Sequence, residues 1–175
     1  MKVYIDSNVF VSNICEDEDN NKSSKDFIDF ILNTNFSKGL MFLTSRFTEV
    51  EVASAIFHKT KNEERARATL YKLERPWKKK FQLLPEKANK KINLDDLIIK
   101  LVETALRHGT RFGDTVHAND VESYNIDFLV TWNITDFEKM KDKIKTLQVV
   151  TPTQMLVELK RMIENEKTKI KIQGN

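Results

Sequence analysis

The feature that most limits what this chain can fold into is a set of four short runs that are almost continuously apolar: "KVYI" (Lys2 to Ile5), "LMFLT" (Leu40 to Thr44), "DFLVT" (Asp127 to Thr131) and "LQVV" (Leu147 to Val150). A strand with one wet face alternates apolar and polar side chains, whereas a strand covered on both faces does not. These runs therefore predict a parallel sheet between two helical layers. Helical patterns lie between them, clearest at Leu94, Leu97, Ile98, Leu101, Val102, Ala105 and Leu106, with Asn93 as the expected N-cap and Gly109 as the stop. The expected fold class is α/β, a three-layer α/β/α sandwich around a central, mostly parallel twisted sheet.

At 175 residues the chain fits one domain with a core of its own. Its 40% hydrophobic and 31% charged residues belong to a globular rather than a disordered chain. No apolar stretch approaches the roughly 20 residues that cross a bilayer, and Met1 and Lys2 lead straight into strand-like residues without a secretory pattern. The expectation is a soluble, cytoplasmic protein. A single cysteine, Cys15, agrees with that, and its neighbours Glu16 and Asp17 disfavour a reactive thiolate.

Three segments stand apart from the α/β alternation. Residues 16–26, "EDEDNNKSSKD", read as a polar insertion and exposed loop before a helix around Phe27, Phe30 and Ile31. Residues 63–91 read as a helix broken near Pro76 and then a basic connection, an elaboration of the domain rather than a second one. After Pro152 a final helix is expected, with a frayed lysine-rich end. The net charge of +3 does not by itself indicate a nucleic-acid partner. Its distribution is uneven, however: from Lys72 to Lys91 eight basic residues stand against Glu74 and Glu86, with Trp77 and Phe81 interleaved. That composition suits phosphates and stacked bases, and equally a solvated surface with its aromatics turned inward.

In an open α/β sheet, ligands bind beyond the carboxyl ends of the strands. Asp6 follows the first run. Glu51 lies in the first turns of the helix after the second, in "TSRFTEVEVASAIF". Asp114 opens the helix "DTVHANDVESY", and Asn133 and Asp136 follow the third run in "TWNITDF". Each also has a purely structural reading: Asp6 and Asp114 as helix N-caps, Asn133 in an Asx turn, Thr48 and Glu51 as a capping box. Brought to one edge, however, such carboxylates repel and raise one another's pKa unless a cation offsets them. A hard divalent ion, Mg²⁺ or Mn²⁺, suits an oxygen-only set.

The segments "VYIDSNVF", "LTSRFTEVEV", "FGDTVHA" and "LVTWNITDF" resemble, in order, the four acidic-motif segments of the PIN domain, the metal-dependent nuclease module found in toxins of bacterial and archaeal toxin–antitoxin systems. The resemblance spans about Met1 to Pro152 and continues into "VVTPTQML". It implies Asp6, Glu51 and Asp114 as metal-binding acids, favours Glu51 over Glu49, and places the fourth position on Asn133, with Asp136 as an accessory acid. It further implies cleavage of single-stranded RNA to a 5′-phosphate and a 3′-hydroxyl, a cognate antitoxin and a homodimer. Asn133 would orient water or complete a weaker second site. The chain departs from the family pattern in that neutral amide, in the insertion after Cys15 and in the basic segment.

Several other residues bear on the same edge. His117 shares a helix face with Asp114 and is read either as a partner to the ligands or as a packing residue. Ser7, Asn8 and Thr131 can position ligands or satisfy backbone at strand ends. Arg46 and Arg111 can meet phosphate or pair with a carboxylate. Of two rival functions, the residues disfavour the first and leave the second open. An aspartate-nucleophile phosphatase needs a second aspartate two residues after the first, where this chain has Asn8. A non-catalytic PIN-like module that binds RNA or protein is suggested by Asn133 and the basic run.

Overall fold

The computed structural model describes residues 1–36, 39–74, 79–84, 93–144 and 147–173. Along the chain these form β1 (Lys2–Ile5), α1 (Ser7–Ile14), α2 (Asn21–Asn33), β2 (Met41–Thr44), α3 (Arg46–Thr60), α4 (Glu63–Glu74), β3 (Phe81–Leu83), α5 (Leu94–His108), α6 (Phe112–Tyr124), β4 (Phe128–Val130), α7 (Ile134–Lys139), β5 (Gln148–Val150) and α8 (Pro152–Gln173). The strands form one five-stranded sheet in the order β3-β2-β1-β4-β5. Every pairing is parallel, with Val3 opposite Phe42 on one side and Phe128 on the other.

The continuous apolar runs follow from burial on both faces. Val3, Ile5, Phe42, Val130 and Phe81 point into a core shared with Val9, Phe10, Phe27, Ile31, Val52, Met155 and Leu159. Tyr4, Leu43 and Leu129, one residue out of phase, point the other way against Ala118, Val121, Phe137 and Met140. This is the strand period of two with both phases apolar. The result is the expected three-layer sandwich.

Three local readings differ. The segment 63–91 contains an edge strand, β3, whose only fully buried residue is Phe81. Of the basic run itself, Arg75 to Lys78 and Lys87, Lys90 and Lys91 lie outside the described residues. The expected loop at 16–26 is shorter, because α2 begins at Asn21, whose amide donates to the carbonyls of Ser12, Asn13 and Cys15. Helix α5 has its expected cap at Asn93, whose Oδ1 accepts from Asp95 N at 3.1 Å, and ends at Gly109 with φ +61°. Its apolar stripe is another matter: Leu101 is buried, while Leu94, Ile98, Val102 and Leu106 are exposed. No helix among the described residues is long and apolar enough to cross a membrane.

The chain builds outward from β1 through β2 to β3, then returns to the opposite side of β1 for β4 and β5. The crevice between the carboxyl ends of β1 and β4 is therefore the point where the direction of winding reverses, the place where open α/β sheets take ligands.

Candidate metal centre

Asp6 stands at that switch point, directly after β1. It occupies the N-cap position of α1, yet its side chain makes no capping bond. Its carboxylate is instead the hub of a polar cluster. Oδ2 accepts from Thr131 Oγ1 at 2.6 Å and from Asn8 Nδ2 at 2.8 Å, and Oδ1 accepts from Ser7 Oγ at 3.2 Å. Thr131, fully buried after β4, also accepts from Asn8 Nδ2 and from Asn133 N, each at 2.9 Å. Its hydroxyl thus uses one donor and two acceptor positions, all that it has. Asn8 Oδ1 in turn accepts from Trp132 N at 3.2 Å. These bonds stitch the β1–α1 turn to the β4–α7 turn and fix the Asp6 side chain.

Glu51 comes from α3. The helix starts one turn earlier than a Thr48 cap would place it, because Ser45 Oγ accepts from Thr48 N at 3.3 Å, so the expected capping box does not form. Glu51 consequently lies in the second turn, where its Oε2 accepts from His117 Nε2 at 2.7 Å. The same nitrogen is 3.2 Å from Asp6 Oδ1. One ligand atom each from Asp6, Glu51 and His117 lie within 4.8 Å of one another. Space for the Glu51 carboxylate comes from Gly113, where a Cβ would stand 2.5 Å from Glu51 Oε1.

Asp114, in the first turn of α6, is not a cap either; Arg111 holds that position. Asn133 Nδ2 donates to Asp114 Oδ2 at 3.1 Å and to Asp136 Oδ2 at 3.0 Å, so the amide spans two acids rather than closing an Asx turn. Lys139 pairs with the other Asp136 oxygen. All five residues singled out from the sequence therefore meet at one edge in two linked groups: Asp6 with Glu51 through His117, and Asp114 with Asp136 through Asn133. Of the two arginines considered, Arg46 is exposed and paired with Glu49 at 3.1 Å, and Arg111 lies near enough to Asp136 to favour its charged form.

The electrostatics record this crowding. Burial, and then the charges of Asp6 and Asp136, push the Asp114 carboxyl up to about 6, against the pull of Asn133 and His117. Burial also works to raise Glu51, but the hydrogen bond and charge of His117, helped by Ser7, carry it below the usual value. For His117 burial opposes the charged ring, and Asp6, Glu51 and Asp120 overcome it and raise its pKa. Asp136 is lowered by its bonds to Lys139 and Asn133. An acid held up by burial and then by its anionic neighbours is what a cation at this edge would relieve, and carboxylate oxygens are the donors a divalent ion prefers. The donor set fits such an ion.

His117 is the residue whose importance spacing alone understated. Its place on the Asp114 face of α6 was legible, whereas its contacts with Tyr4 of β1 and Glu51 of α3 depend on pairings between distant segments.

No family model matches the sequence, and no curated protein matches it. Solved structures do match. The chain is similar to VapBC-1 from nontypeable Haemophilus influenzae, with 17% identity and a TM-score of 0.56 across 87% of this chain and 99% of that one. It is similar to VapC20 from Mycobacterium tuberculosis, described as a sarcin-ricin loop cleaving toxin, with 12% identity and a TM-score of 0.56 across 78% and 93% of the two chains. FitAcB from Neisseria gonorrhoeae gives 15% identity and a TM-score of 0.53 across 86% and 97%. At such identities the likeness is one of fold, and the fold is that of the PIN domain.

Proposed function

We propose that this chain is a metal-dependent endoribonuclease that hydrolyses phosphodiester bonds of single-stranded RNA, and that it acts in the cytoplasm as the toxin of a toxin–antitoxin pair. The observation that carries the reading is the approach of one ligand atom each from Asp6, Glu51 and His117 to within 4.8 Å of one another at the sheet's switch point, beside Asp114, which burial and the charges of Asp6 and Asp136 raise to about 6. The fold shared with VapBC-1, VapC20 and FitAcB supports it.

Asp6, Glu51 and Asp114 would hold Mg²⁺ or Mn²⁺. When bound, such an ion supplies Lewis-acid stabilisation of charge on the phosphate and on the leaving oxygen. The chain's own residues then have distinct tasks. Thr131, Asn8 and Ser7 fix the orientation of Asp6, so that little reorganisation accompanies binding. Asn133 Nδ2 bridges Asp114 and Asp136 and ties both to the β4–α7 turn, and its neutrality limits the negative charge there. Asp136, whose charged form Lys139 and Asn133 favour, would orient water at the rim. An antitoxin and a second copy of the chain are the proposed protein partners; the exposed apolar stripe of α5 offers a face for the latter.

The test is cleavage of an end-labelled single-stranded RNA by purified protein with Mg²⁺, Mn²⁺ or EDTA, beside an Asp6→Asn variant. Cutting is expected to require the ion and Asp6, and to leave 5′-phosphate ends. Equal cutting by Asp6→Asn would assign the activity elsewhere. Folded protein, free of inhibitor, that cuts with neither ion would instead be a non-catalytic binding module, the reading that the neutral Asn133 favours.

A further inference from the structure

We propose that His117 is itself a ligand, through Nε2, of the ion held by Asp6 and Glu51, and that this nitrogen makes the centre prefer a first-row transition ion such as Mn²⁺ over Mg²⁺. The inference rests on the metal-centre reading above and deepens it, since that reading used oxygen donors alone.

The ring is fixed on its far side. His117 Nδ1 lies 2.7 Å from the Tyr4 hydroxyl, and that hydroxyl donates to Ser45 Oγ at 2.9 Å. With its proton directed to Ser45, the Tyr4 oxygen is the acceptor for Nδ1–H. This leaves Nε2 facing the acids, and the proton it shares with Glu51 is the one that an ion would replace. A ligating imidazole is oriented in the same way, by donating its other N–H to a fixed acceptor. Tyr4 and Phe47 flank the ring with centroids 5.7 and 5.6 Å away, and His117 is 1% exposed, so it has no route to solvent.

The spacing also fits. Two ligands at right angles on bonds of about 2.1 Å stand about 3.0 Å apart. Nε2 is 2.7 Å from Glu51 Oε2 and 3.2 Å from Asp6 Oδ1, values that bracket this figure. Imidazole nitrogen favours first-row transition ions, of which Mn²⁺ binds most weakly and also accepts oxygen ligands, whereas Mg²⁺ is held by carboxylate, carbonyl and water oxygens. A simple buried ion pair between the ring and the two acids would satisfy the same short distances, so the deciding measurement must detect nitrogen bound to the ion.

Mn²⁺-loaded wild-type protein is examined by pulsed electron paramagnetic resonance for nitrogen coupling, with Mn²⁺ and Mg²⁺ affinities measured in parallel for wild type, Asp6→Asn, His117→Gln and Tyr4→Phe. The expected result is an imidazole-type coupling in wild type that His117→Gln removes. Tyr4→Phe keeps the coupling and weakens Mn²⁺ binding about tenfold. His117→Gln weakens Mn²⁺ by at least as much, and Mg²⁺ by less. If His117→Gln fails to fold, the wild-type spectrum and Tyr4→Phe still decide. Mn²⁺ that binds in an Asp6-dependent way without nitrogen coupling would overturn ligation by His117 and leave the metal centre standing. Mn²⁺ that does not bind, or binds equally to Asp6→Asn, would overturn both.

Discussion

At the scale of single residues, Gly113 separates stability from function. Alanine there costs nothing in helix propensity and gains up to about 1 kcal/mol. Its Cβ, however, would stand 2.5 Å from Glu51 Oε1, so the flexible end of Glu51 must move. Gly113→Ala is expected to unfold in urea at the same or a higher concentration than wild type while binding Mn²⁺ more weakly. Unchanged affinity would mean that Glu51 is not among the ligands. How far the site could be read from the sequence follows from the same kind of detail. The positions of Asp6, Asn133 and Asp136 at the sheet edge are legible because each follows an apolar run, and that of Asp114 because it lies where a helix opens. The bonds that orient them were not, because the partners of Asp6 at Thr131 and of Glu51 at His117 are brought close only by the order of strands in the sheet.

At the scale of elements, α5 is a helix whose pattern is plain in the sequence but whose apolar face is largely exposed. Leu106, at 78% exposed, contributes little to the folded chain, so Leu106→Glu is expected to change unfolding free energy by less than about 0.5 kcal/mol. If this stripe is the contact between two copies, the same variant halves the mass seen by sedimentation equilibrium; an unchanged mass would remove α5 from that role. Strand β3 escapes the sequence pattern for the opposite reason. Its three residues, Phe81 to Leu83, are too few to establish a period, and they follow lysines that mark the segment as solvated. Only pairing with β2, Phe42 to Phe81 and Thr44 to Leu83, makes it a strand. The start of α3 was displaced because Ser45 and Thr48 are equally good caps in sequence, and Ser45 takes the bond.

At the scale of the whole molecule, an ion at the switch point would tie α3 and α6 to the end of β1, and binding to the native state alone stabilises the fold. Free ion at a hundred times its Kd contributes about 2.7 kcal/mol. The pH dependence follows from Asp114. Its native pKa of about 6 lies above the ordinary carboxyl value, so by itself the group favours folding at low pH, and that contribution is lost as pH rises through about 6. The ion requires the deprotonated carboxylate, so the rise in Tm that Mn²⁺ gives, and EDTA reverses, is expected to be small at pH 5 and full at pH 7.5. An equal rise at both would exclude Asp114 from the ligands. Finally, the stitch between the two turns has a temporal side. Thr131 follows Asp6 by 125 positions, so a ribosome must translate through β4 before the acid at the chain's first strand meets the hydroxyl that orients it. The proposed metal centre is therefore incomplete until the chain has been made past β4.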